Sequence, residues 1–144
     1  MLSNEEIIKL VLSVFLASLI GLEREFRKKP AGLRTHCIIA LSSTIYTLVS
    51  IKYFSFDSAR IVANILTGMG FIGAGAIISS NSGRRVGVTT ASTLWIVAAI
   101  GIVVGVGYYD LAIFSTFITL TVLVVFRDIM KITFPRSRSK SKSF

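Results

Sequence analysis

The side chains best able to do chemistry crowd into one short stretch, Glu23-Arg-Glu-Phe-Arg-Lys-Lys-Pro-Ala-Gly-Leu-Arg34. The carboxylates of Glu23 and Glu25 offer hard oxygen ligands of the kind that suit a divalent cation such as Mg²⁺. Their neighbours Arg24, Arg27, Lys28, Lys29 and Arg34 offer the competing use, salt bridging, and Glu23 stands at helical i,i+4 spacing from Arg27. A second set is Arg60, Asn64 and Thr67, which at about 100° per residue share a helix face with Gly68 and Gly75. Such a polar stripe is either part of a path for a solute or a seam that hydrogen-bonds to another helix. Asp57, Asp110 and the Glu5/Glu6 pair fall at the opposite ends of their segments from Glu23 and Glu25 and are not expected to join them.

Enzyme chemistry is not expected. His36 is the single histidine and Cys37 the single cysteine, so there is no disulfide within the chain and too few ligands for a zinc site. His36 follows Thr35 at the start of an apolar run and reads as a polar anchor. The run Gly-Met-Gly-Phe-Ile-Gly at 68–73 fits a bare dinucleotide-binding pattern, but no strand precedes it, and no P-loop occurs.

The elements that must position these residues are long and apolar. The chain of 144 residues is 53% hydrophobic with a mean hydropathy of +0.75, against about 45–50% for a soluble domain even with Gly counted. A hydrocarbon core takes about 20 apolar residues of helix to cross. Five segments qualify approximately: 7–22, 35–51, 61–78, 89–106 and 111–126. Lys9 sits near an end, where it can snorkel. The segments are apolar all round and lack the alternation of a membrane barrel. The predicted fold is therefore an all-α, multi-pass helical bundle, with residues 1–130 as the transmembrane domain and 131–144 as a basic, disordered cytoplasmic tail. The first residues are acidic and lack a basic n-region, so the first segment is expected to stay rather than be cleaved.

Charge sets the orientation. Arg24, Arg27, Lys28, Lys29, Arg34, Arg84, Arg85, Arg127, Lys131, Arg136, Arg138, Lys140 and Lys142 fall on one side, and Lys9, Lys52 and Arg60 on the other. The richer side is assigned to the cytoplasm, which puts the N-terminus outside and the C-terminus inside, as an odd number of spans requires. A net charge of +9 then reflects anionic lipid at the tail and loops rather than nucleic acid.

Helices in lipid meet through small residues. Ser13, Ala17 and Gly21 form one such stripe, which Glu25 continues toward the bundle. Ala98, Gly101 and Gly105 form another. The segment 61–78 holds Gly68, Gly70, Gly73 and Gly75 on more than one face, which predicts a central helix approached from two sides, or one whose backbone is broken around an ion. The same small-residue faces could close a homodimer.

Four motifs together resemble the MgtC/SapB family of bacterial inner-membrane proteins: Gly21-Leu-Glu-Arg-Glu25, Pro30-Ala-Gly-Leu-Arg-Thr-His36, Gly68-Met-Gly-Phe-Ile-Gly-Ala-Gly75, and Thr89-Thr-Ala-Ser-Thr-Leu-Trp95 followed by Ala98-Ala-Ile-Gly101. The resemblance runs over about residues 5–127. It implies a five-span hydrophobic domain, a link to growth in low magnesium and to virulence, and Glu23, Arg24, Arg34 and Asn64 as the functional residues. Family members often carry Gln where Asn64 stands. Many continue into a soluble C-terminal domain, whose regulation is expected to be missing from a chain ending at Phe144. The family was named for Mg²⁺ transport, while at least one branch is thought to act on other membrane complexes, the ATP synthase among them. Two functions are therefore open: a regulator of a partner complex, which the small-residue faces favour, and a transporter of Mg²⁺ or another small cation.

Overall fold

A run of apolar residues becomes a helix where its ends can be satisfied, and each end here has its own device. The computed structural model describes residues 2–78, 87–127 and Ile129. It contains α1 (Asn4–Phe26), α2 (Leu33–Tyr53), α3 (Ser58–Ile78), α4 (Val88–Val106) and α5 (Tyr109–Thr121), the last continuing as a π-helical turn at Val122–Phe126. Ser3 and Glu6 start α1 with a reciprocal capping box: the Glu6 N–H donates to Ser3 Oγ at 3.2 Å and the Ser3 N–H to Glu6 Oε2 at 2.8 Å. After Phe26 the chain turns through Lys28, in the left-handed region at φ 52°, and Pro30 precludes continuation. Gly107, left-handed at φ 104°, ends α4 and lets α5 begin two residues on.

The five predicted segments all appear as helices, each lengthened at one or both ends. Ser58–Ile78, Val88–Val106 and Tyr109–Phe126 are long and apolar enough to cross a membrane. α1 and α2, at 23 and 21 residues, have the length without the same uniform apolarity. The tail 131–144 and the basic pair Arg84/Arg85 lie outside the described residues.

The centre of the bundle is α4, not α3. Ten residues of α4 are buried, from Thr90 to Gly105, whereas α3 buries Met69 and Gly73 alone among its residues. α4 earns the place through shape. A Cβ on Gly101 would stand 2.5 Å from the Ala40 carbonyl oxygen, and one on Gly105 would stand 2.7 Å from Thr47 Cβ, so both glycines admit the α2 backbone. Thr44 fastens the same seam by donating to the carbonyls of Ala40 and Gly101, each at 2.9 Å. Gly21 does likewise for α1 and α2, with the Leu33 Cα 2.8 Å from its would-be Cβ. In α3, Gly73 faces Ala91 and Trp95, but Gly68, Gly70 and Gly75 face open space. The glycine-rich helix is thus a continuous α-helix on the flank of the bundle. Gly73 packs against α4, while Gly68, Gly70 and Gly75 meet nothing within 4 Å among the described residues.

Candidate functional site

The polar residues collect at one end of the bundle, where the last turn of α1, the first turns of α2 and α4, and the last described turn of the chain meet. Arg24 is the hub. It ends the buried stripe Ser13, Ala17, Ile20 and Gly21 of α1, so the helical period carries its guanidinium into the interior, where it is 4% exposed. Its Nη2 donates to Thr90 Oγ1 at 3.2 Å. One turn on, Thr93 Oγ1 lies 3.2 Å from His36 Nε2 and donates to the Thr90 carbonyl at 2.8 Å. His36 Nδ1 is 2.7 Å from the Gly32 carbonyl, which can only accept, so Nδ1 carries the proton. In the neutral ring Nε2 is then an acceptor, and the single Thr93 hydroxyl proton has two claimants, Nε2 and the Thr90 carbonyl. His36 is fully buried between α2 and α4 rather than anchored at an interface as its neighbours in sequence suggested.

Glu23 lies beside the hub. Its carboxylate approaches Arg24 at 3.6 Å, Arg27 at 3.4 Å and Arg127 at 3.7 Å. Glu25 does not turn into the bundle. It is exposed, and its Oε2 accepts the Leu33 N–H at 3.0 Å, so it caps α2 across the turn in place of the Gly32 side chain that does not exist. The two carboxylates thus have separate tasks: Glu23 sits among guanidiniums and Glu25 holds a helix end. No group of three or more His, Cys, Asp or Glu that could hold a metal occurs among the described residues. Arg34 is exposed on the first turn of α2.

The second predicted set is separate from this hub. Arg60 is 76% exposed at the far end and pairs with Asp57 at 3.2 Å. Asn64 and Thr67 are exposed on the outer side of α3 beside Gly68, with the Thr67 hydroxyl donating to its own helix at Ala63. The stripe therefore faces outward and does not lead into the bundle. At that same end, Lys52 Nζ meets Glu6 Oε1 at 2.8 Å and fastens α2 to α1. The pairing holds the Glu6 carboxyl down at about 2, with help from the Ser3 N–H, and raises Lys52.

Thr90, Thr93, His36 and Arg127 were not singled out as site residues by sequence reasoning. The signal available for the two threonines was the run Thr89-Thr-Ala-Ser-Thr93, whose members at 90 and 93 share a helix face. Nothing local marks that face as the one opposite Arg24.

These features define the class first: an all-helical bundle with membrane-length apolar helices, tied at one end by a buried arginine network. The chain belongs to the MgtC family, whose model it matches over residues 10–132. It is 42% identical over 137 residues to the Escherichia coli K12 protein "Putative magnesium transporter YhiD", covering 89% of this chain and 63% of that protein. It is 37% identical over 142 residues to protein SrpB of Synechococcus elongatus, covering 89% of this chain and 78% of SrpB. To protein MgtC of Salmonella typhimurium it is 37% identical over 128 residues, covering 89% of this chain and 55% of that protein. The chain therefore spans 63% of YhiD and 55% of MgtC, the longer of its relatives. No solved structure matches.

Proposed function

We propose that this chain is a multi-pass protein of the bacterial inner membrane that serves magnesium homeostasis by regulating another membrane complex, without enzymatic activity of its own. In this reading all five helices cross the bilayer, the N-terminus lies outside, and the Arg24 end faces the cytoplasm. A virulence role in bacteria that infect hosts belongs to the same reading.

The open face of α3 carries it. Asn64 is exposed about 9 Å from the start of its helix, at a rise of about 1.5 Å per residue, which puts a side-chain amide against hydrocarbon. Unpaired polar groups are costly there. Beside it Gly68 and Gly75 leave room for a helix backbone that none of the described residues supplies. Gly21, Gly101 and Gly105 are filled by neighbours within the chain. A second copy of the chain or a helix of the regulated complex fits the α3 face, and a homodimer is the simplest such assembly.

The alternative is transport of Mg²⁺ or another small cation, the activity in the name of the relative YhiD. The test separates the two. Purified protein in liposomes is assayed for Mg²⁺ flux, with Asn64→Leu and Glu23→Ala beside the parent, and its association state is measured in the same membranes. The expected result is no flux above empty liposomes, and association that Asn64→Leu weakens. Flux in the parent that both substitutions abolish overturns the regulator and establishes the transporter.

A further inference from the structure

Arg24 is a buried cation whose surroundings are incomplete. Its side chain is 5% exposed, and Nε has no hydrogen-bond partner among the described residues. Its nearest anion, Glu23, stands at 3.6 Å, well beyond the roughly 2.7–2.9 Å of a charge-assisted hydrogen bond. Glu23 is shared with Arg27 and Arg127, and its own Oε2 also lacks a hydrogen-bond partner among the described residues. One carboxylate thus faces three guanidiniums, those of Arg24, Arg27 and Arg127, and makes no close charge-assisted hydrogen bond to any of them. The remaining partner of Arg24, the Thr90 hydroxyl, is neutral.

The position of Thr90 sharpens the mismatch. It lies in the first turn of α4, whose N-cap is Gly87 and which no described side chain caps. The N-terminal end of a helix carries a partial positive charge and free N–H groups. A buried guanidinium set against that end is repelled by it unless an anion lies between or beside them. Elsewhere the bundle handles this well: α1 begins on Ser3 and Glu6, and α2 on the Glu25 carboxylate. α2 and α4 both begin on glycine, Gly32 and Gly87, but among the described residues α4 has no carboxylate in the place that Glu25 takes at α2.

We infer that this end of the bundle binds a phosphate group, gripped by the guanidiniums of Arg24 and Arg27 and by the first turn of α4 with the Thr90 hydroxyl. Arginine forks and helix N-termini are both suited to phosphate oxygens. Glu23 holds the two guanidiniums in place at distances long enough to leave their donors for the ligand. The phosphate can be the headgroup of an anionic lipid, since the site lies at the end of the apolar segments, or free inorganic phosphate. The inference rests on this geometry and not on the regulator reading.

The whole protein in neutral detergent is titrated calorimetrically with dioctanoyl phosphatidate and, separately, with inorganic phosphate. Saturable binding of at least one probe is expected, weakened about tenfold in Arg27→Gln, as loss of a charge-assisted contact implies. Arg27 is 39% exposed in its side chain, so that variant folds where Arg24→Gln could fail. Arg24→Lys, which keeps the charge and loses the fork, is expected to weaken binding as well, and Lys52→Gln at the opposite end to leave it unchanged. Phosphatidate that excess inorganic phosphate does not displace marks a lipid site, and displacement marks a site for free phosphate. Binding of neither probe, binding indifferent to both arginine variants, or binding lost equally in Lys52→Gln overturns the inference.

Discussion

Gly101 of α4 lies against Ala40 of α2 so closely that a Cβ at 101 would meet the Ala40 carbonyl oxygen at 2.5 Å and Ser43 Cβ at 2.9 Å. Backbone atoms cannot swing aside as a flexible side chain does. Gly101→Ala should therefore push α2 from α4 and destabilise the bundle by about 1–3 kcal/mol, the usual scale of overpacking. Gly68→Ala, with nothing within 4 Å of its Cβ, should leave the melting temperature of the detergent-solubilised monomer unchanged. Thermal unfolding of the two variants side by side checks both. Equal losses would show that α3 also packs tightly inside one chain.

That contrast shows what a sequence displays and what it hides. The five helices were visible because unbroken apolar runs bounded by charge, Pro30 and glycine have few other solutions. The glycines were visible too, but not their occupants. Gly68 and Gly101 look alike in a row of apolar letters, and only packing reveals that Gly101 meets α2 while Gly68 meets none of the described helices. Four glycines in α3 pointed to a central helix, whereas the centre went to α4, where Gly101 and Gly105 admit α2 and Thr93 meets His36. The hub was hidden for a different reason. Arg24 and Thr90 are 66 residues apart, and no local spacing encodes a contact of that range. Glu23, Arg24 and Arg34 drew notice through their charge and the family resemblance, while Thr90 and Thr93 passed as ordinary helix residues.

The threonine and histidine pair gives a second prediction. Thr93→Val preserves the shape and removes the oxygen that His36 Nε2 faces at 3.2 Å. A fully buried ring nitrogen is then left without a partner, at a cost of about 1–3 kcal/mol. Thr93→Ser keeps the hydroxyl and should recover most of the loss. Melting temperatures in one detergent measure the difference, and a Thr93→Val protein as stable as the parent would remove the hydrogen bond from the account of the fold.

Glu25 tests the separation of the two carboxylates. Because it accepts the Leu33 N–H, Glu25→Ala should weaken the start of α2 by about 0.3–1 kcal/mol, the range for an anion at a helix N-terminus. Hydrogen exchange at Leu33 and its neighbours should quicken, while Mg²⁺ up to millimolar concentration should not alter the parent's exchange there. Protection by Mg²⁺ that Glu25→Ala abolishes would instead make Glu25 a cation ligand.

The last prediction concerns pH at the opposite end. Glu6 has an ordinary value of 4.5 and is held at about 2 in the folded protein, first by the Lys52 ammonium and then by the Ser3 N–H. A carboxyl whose folded value is depressed binds its proton more readily when unfolded, so its contribution is complete above about 4.5 and disappears as pH falls toward 2. Lys52 is shifted the other way, so its share persists at neutral pH and is lost only in strongly alkaline solution. The clip between α1 and α2 therefore stays closed at any pH a living cell maintains and opens in acid. The pair is exposed to solvent, which keeps its worth small and sensitive to salt. Carboxyl carbon chemical shifts of Glu6, followed by NMR from pH 6 down, should titrate near 2 in the parent and move back toward 4.5 in Lys52→Gln. An unchanged midpoint in that variant would assign the depression to the Ser3 capping box alone.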